Sequence, residues 1–130
     1  MICRDIYKLS LNLLAQDADN SANLDFENRA PYLLALFCME TQELDRHLRE
    51  QMGVEEGEEL SRLYLNLSDT FPLLDSLLPA AALYLAAMLV IDEDEELYEK
   101  IYEQYCDVIS KLQSGFSFEL ESIEDLYSLF

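Results

Sequence analysis

Apolar residues recur along most of this chain at intervals of three and four, the period of helices that bury one face. Ile2, Ile6, Leu9 and Leu13 form such a stripe and predict a first amphipathic helix ending near Gln16. The segment after it, QDADNSANLD, is polar and rich in turn formers, and reads as a loop. A second helix is predicted to begin between Asp25 and Ala30 and to run to about Met52, with Gly53 as its stop. Its inward stripe reads as Leu33, Phe37, Leu44 and Leu48, and its outer face as Glu43, Arg46, Arg49 and Glu50. Pro31 fits the first turn if that helix starts late, and marks a kink if it starts at Asp25.

Past the charged link VEEGEEL, the leucines at 63, 65 and 67 alternate with other residues, the period of an extended strand. A strand there needs a partner, so an irregular or partly helical connection is expected. A third helix is predicted from about Thr70 or Phe71 to Ile91, capped by Asp69 or Thr70. It is apolar nearly all round, which predicts the centre of a bundle, and Pro79 should bend it or split off its first turns. Asp92 or Asp94 caps a fourth helix whose inward stripe is Leu97, Ile101, Tyr105, Val108 and Leu112, with Gly115 as its end. The expectation is an all-α protein: a compact bundle of four main helices over residues 1–115, with a partly extended C-terminal tail over 116–130. That tail, FSFELESIEDLYSLF, is too apolar to be left in water, and should pack on the bundle or on a neighbouring subunit.

Charge changes this picture most. Twenty-seven acidic residues face eight basic ones, a formal net charge of −19 on a chain that is 51% hydrophobic. Enough apolar residues are present to fold, so the acid belongs on the surface, where it repels phosphates and anionic membranes and attracts basic partners. The scattered lysines and arginines form no patch to neutralise a nucleic acid, so direct sequence-specific binding of one is not expected. The uncharged run from Leu77 to Ile91 is short for a bilayer span and lacks flanking cations, which favours a buried helix over a membrane helix. Residues 1–10 carry Arg4 and Asp5 where a secretory leader would be apolar.

The candidate chemistry is sparse. Cys3, Cys38 and Cys106 are widely spaced and His47 is the one histidine, which favours reduced thiols over a zinc site. No G-x-S-x-G, phosphate-cradling glycine loop or H-E-x-x-H occurs, and the DEDEE run at 92–96 lacks the spaced ligands and glycine turn of a calcium loop. No catalytic, cofactor or metal residue is therefore expected, and the chain reads as a non-enzyme. Asp75, Ser76 and Leu77 spell the D-S-L triplet at which acyl carrier proteins hold a phosphopantetheine arm, but Pro79 and a wholly apolar helix follow it.

Three stretches, taken in order, resemble a group of small helical proteins of Firmicute phages and prophages, placed among head–tail connector (neck or adaptor) genes. The first is IYKLSLNLLAQ and then DFENRAPYLLALF, in which Arg29, Ala30 and Pro31 match an R-[AT]-P-x-L-[IL] signature. The second is LLPAAALYLAAMLVIDEDEELYEKIYEQY, similar to the group's leucine-proline start, small-residue helix, acidic break and tyrosine-bearing last helix. The third is IEDLY, Ile123 to Tyr127, similar to the group's closing I-E-D-V-Y. Alanines follow Pro79 where a Tyr-Gly pair is common in the group, and the glycine-rich ending is missing.

The resemblance implies a structural virion-assembly subunit that binds the portal or other connector proteins and itself, as a ring. It would be found in the bacterial cytoplasm when expressed and in the virion of an intact phage. Arg29, Asp125 and Tyr127 are implied contact residues, and Pro31, Phe116, Phe118, Ile123 and Phe130 join them as interaction candidates. The competing reading is an acidic helical protein that imitates DNA, or otherwise inhibits a protein by binding it.

Overall fold

The computed structural model describes residues 1–15, 24–57 and 64–118, with backbone alone from 115 to 118. Four helices make up the fold: α1 (Cys3–Leu13), α2 (Leu24–Met52), α3 (Leu78–Val90) and α4 (Glu95–Phe118). The protein is an all-α bundle, with no strand among the described residues.

Helix α3 is the centre of the molecule. Ala80, Ala81, Leu85, Ala86, Ala87 and Leu89 are wholly buried, and α1, α2 and α4 all pack against it. Its alanines leave room for those helices to come close on several sides. The helix starts later than its apolar run suggests. Residues 71–74 are irregular, Asp75–Leu77 form a single 3₁₀ turn, and Pro79 stands at the first turn of α3. A proline has no N–H to donate and clashes with the preceding turn, so Pro79 is cheap in the first turn of a helix, whereas in the interior it would cost a hydrogen bond and favour a kink.

Helix α1 turns a different face inward from the one its leucines suggest. Cys3, Ile6, Tyr7, Ser10 and Leu11 are buried, whereas Ile2, Leu9 and Leu13 are exposed. Its first N–H groups are capped by the connection before α3: Cys3 N–H donates to Asp69 O and Arg4 N–H to Leu67 O, each at 2.8 Å. One isolated bridge pairs Ile2 with Thr70, and Phe71 N–H donates to Met1 O at 2.9 Å. The Leu65–Leu67 stretch is thus an irregular connection with a turn at 67–68, bonded to α2 at Leu65 and to the start of α1 at Leu67, and both leucines are buried. Asp69, expected to cap the third helix, serves α1 through its carbonyl, while its carboxylate accepts Asn66 N–H at 3.0 Å.

Helix α2 begins at Leu24, so Pro31 lies inside it, and the Pro31 carbonyl accepts Leu65 N–H at 3.1 Å. The buried stripe runs through Leu34, Phe37, Cys38, Thr41 and Asp45, displaced from the expected one; Leu33 and Leu44 are half-buried beside it. Gly53 stops the helix with φ +69°, its N–H bonding Glu50 O while Val54 N–H bonds Arg49 O. This is the paired ending for which a left-handed glycine is suited.

Helix α4 is capped by Asp94, whose carboxylate accepts Leu97 N–H at 3.1 Å. It buries Ile101 and Tyr105, with Leu97, Val108 and Leu112 packed partly against the core. The helix passes through Gly115 to Phe118 rather than stopping at the glycine. Glycine in a helix interior costs about 1 kcal/mol against alanine, a tax and not a barrier. Phe116 and Phe118 therefore continue a helix, and their alternation is not that of extended chain.

Candidate interaction surface

Tyr98, Tyr102 and Tyr105 lie along α4 with successive ring centroids 5.4 and 5.5 Å apart. Tyr105 meets Tyr84 at 5.4 Å, and Phe37 touches both, at 6.2 and 5.6 Å. Burial first, and then the Glu40 carboxylate, holds the Tyr84 and Tyr105 hydroxyls above the ordinary phenol range. Neutral buried phenols beside one carboxylate form a packed wall between α2, α3 and α4. Among the described residues no group of three or more His, Cys, Asp or Glu is placed to hold a metal ion. No helix there is long and apolar enough to cross a membrane.

The thiols divide sharply. Burial raises Cys3 to about 11, with Asp69 adding to the shift, and raises Cys38 to about 12, with Cys3 and Asp45 adding to it. Cys106 is exposed on α4. A thiolate attacks a disulfide reagent and displaces its leaving thiolate, so one thiol of the native protein, the exposed Cys106, is expected to react quickly, and all three after denaturation. The same shifts set a pH dependence. Unfolded thiols lose their protons near 9, while native Cys3 and Cys38 keep theirs to about 11 and about 12. Between those values the unfolded state binds fewer protons, so stability should fall as pH rises above 9. Alkaline denaturation followed by circular dichroism checks this; a stability flat to pH 11 contradicts it.

Arg29 sits at a junction. Its guanidinium donates to Met88 O at 3.0 Å and Leu89 O at 3.5 Å, in the last turn of α3, and lies 3.6 Å from Asp25. A cation at a helix C-terminus satisfies carbonyls that have no helical partner and suits the negative end of the dipole. Arg29 is therefore engaged inside the fold, where it ties α2 to α3.

Pro31 is buried on the wall of an open cleft of about 670 Å³, with Leu24, Tyr32, Tyr64 and Leu67 around it. The Tyr32 and Tyr64 rings meet edge to face at 4.9 Å, and the Arg4–Glu27 ion pair, 3.2 Å, stands at the rim. Phe116 and Phe118 belong to the last turn of α4, while Ile123, Asp125, Tyr127 and Phe130 lie outside the described residues. Ser76 of the D-S-L triplet is exposed in the 3₁₀ turn. Glu95, Glu99, Glu103 and Asp107 are exposed at four-residue spacing along α4, a single acidic ridge.

Two features have no simple sequence signal. The Tyr32–Tyr64 pair joins α2 to the irregular connection, and only the fold brings them together. Asp45 and Arg49 form a nearly buried ion pair, Nε to Oδ2 2.8 Å, on a helix most of whose other charges are exposed. Asp45 does sit four residues past Thr41 and seven past Cys38, in line with the buried stripe, and this spacing was the available clue.

No family model, curated protein or solved structure matches the chain.

Proposed function

We propose that this protein is a non-catalytic structural subunit of a phage or prophage head–tail connector, assembling as a ring on the portal through contacts with itself and with portal or other connector proteins. The observation that carries the reading is the contact between two stretches of the connector resemblance. Arg29 of the R-A-P-x-L-L stretch is bonded to the end of the helix that opens with Leu78 and Pro79. Residues nearly sixty positions apart thus act as one structural unit, which gives the spacing of the two motifs a physical reason. The acidic ridge on α4 supports the same role, because a passage for DNA must repel phosphates rather than hold them. The protein works in the bacterial cytoplasm during assembly and in the virion afterwards.

That ridge also favours a second reading, an acidic inhibitor that imitates DNA and occupies a basic protein. The two part on partners. A connector gene is expected among portal, capsid and tail genes, and the protein should co-purify with phage particles and with the portal. Capture of a host nuclease or repressor, with no phage genes nearby and no binding to a portal, would overturn the connector reading.

A further inference from the structure

We propose that the Tyr98–Tyr102 stack on α4, with Glu40 of α2 beside it, binds an arginine side chain presented by a different protein. The inference goes beyond the connector reading and does not depend on it. The two rings stand one helical turn apart, 5.4 Å between centroids and 26° from parallel, and both residues are half-buried. Tyr105 and Tyr84 are buried behind them, with Tyr105 5.5 Å from Tyr102 and 5.4 Å from Tyr84. The outer stack therefore rests on an aromatic floor.

Glu40 comes from the helix opposite. It lies one turn past Phe37, whose ring meets Tyr84 at 5.6 Å and Tyr105 at 6.2 Å. Burial raises the phenols of Tyr84, Tyr102 and Tyr105, and the charge of Glu40 adds to the shift in all three. On α4 itself, Glu95 and Glu99 each stand three residues before a stacked tyrosine, a spacing that makes neighbours on a helix surface. Lys100 is two residues from each ring, a spacing that does not face them. Among the described residues Glu40, Glu95 and Glu99 enter no ion pair. Aromatic faces carry negative potential, so rings and carboxylates lie together here without the cation that would satisfy both.

That charge selects the occupant. A guanidinium is planar, so it can stack on a ring and donate to a carboxylate in one pose, which a compact ammonium does less well. The arginine is supplied by another protein because this chain's own are committed. Arg4 pairs with Glu27, Arg46 with Glu43 and Arg49 with Asp45, and Arg29 is bonded to the end of α3. Arg62 lies outside the described residues.

The test follows binding of two labelled peptides, eight arginines and eight lysines, to the full chain by fluorescence anisotropy at about 0.15 M salt, where diffuse attraction is screened. The wild type is expected to prefer the arginine peptide by about fivefold or more. Tyr98→Leu/Tyr102→Leu leaves the net charge at −19 and should lose most of that preference, while Tyr98→Phe/Tyr102→Phe keeps the rings and should retain it. Glu40→Gln should weaken the arginine peptide about threefold more than Glu50→Gln, the same change of charge at another exposed position of α2. Glu40 is exposed, so this comparison stands even if the leucine variant melts early. A wild type that does not discriminate, a leucine variant that keeps the preference, or equal effects at 40 and 50 would overturn the site and leave attraction to the whole acidic surface. Wild-type self-association in sedimentation velocity that the leucine variant abolishes would make the occupant a second copy, and would overturn the assignment to a different protein.

Discussion

Leu85→Asp is expected to leave the protein unfolded at room temperature. Leu85 is wholly buried in α3, the helix on which α1, α2 and α4 all rest. A carboxylate there loses its hydration and gains no cation, since α3 carries no charged residue and its neighbours turn apolar side chains toward it. Burying an unpaired charge costs several kcal/mol, to which the lost packing of the leucine adds about 2–5 kcal/mol. Domains of this size are stable by about 5–15 kcal/mol in total. Leu85→Ala provides the graded case and should cost about 2–5 kcal/mol in urea unfolding. Leu36→Asp, at a position 46% exposed on α2, should change stability by no more than about 0.5 kcal/mol. Equal effects at 85 and 36 would contradict the central place of α3.

The role of α3 was legible in the sequence because a helix apolar on every side has no solvent face to offer, whatever surrounds it. The stripe on α4 was legible for a related reason. Leu97, Ile101, Tyr105, Val108 and Leu112 are separated by charged residues that settle which side faces water. Helix α1 was misread because it has apolar residues on two sides. Cys3, Tyr7 and Ser10 compete with Leu9 and Leu13 for the core, and periodicity alone does not rank a buried serine above an exposed leucine. Ser10 can be buried because its hydroxyl donates to Tyr7 O at 2.7 Å within its own helix. The same local bonding lets Thr41 join the buried stripe of α2, its hydroxyl donating to Phe37 O at 2.8 Å. The connection at 65–71 is irregular, as its lack of a strand partner suggested, but its capping of α1 was not legible, because one bridge and three backbone bonds to the start of α1 leave no sequence pattern. Of the interaction candidates, Arg29 was expected at a contact with a neighbouring subunit, and the bonds it makes to Met88 and Leu89 are internal ones that its place in the sequence did not signal.

Removing the Asp45 carboxylate is expected to be nearly as damaging as disturbing the core. Its Oδ1 accepts Leu74 N–H at 2.8 Å and its Oδ2 accepts Arg49 Nε–H at 2.8 Å. Arg49 in turn donates to Glu55 O at 3.1 Å and to Pro72 O at 3.2 Å. The pair thus clips two loop segments to the end of α2, and sets where the chain turns toward α3. Gly57 closes over it, and a Cβ at that position would lie 3.3 Å from the guanidinium carbon of Arg49. Side-chain exposure is 6% for Asp45 and 14% for Arg49, so the general weakness of surface ion pairs does not apply. Asp45→Ala strands a buried cation and the Leu74 amide, and should cost about 3–5 kcal/mol. Arg49→Met strands the carboxylate and should cost a similar amount. Asp45→Asn/Arg49→Met removes both charges while keeping an oxygen for Leu74 N–H, and is expected to recover much of the loss. Urea unfolding of the wild type, Asp45→Asn, Arg49→Met and the double variant gives the coupling directly. Single substitutions that each cost under about 1 kcal/mol, with no recovery in the double variant, would reduce the pair to an ordinary surface contact and remove the clip from the fold.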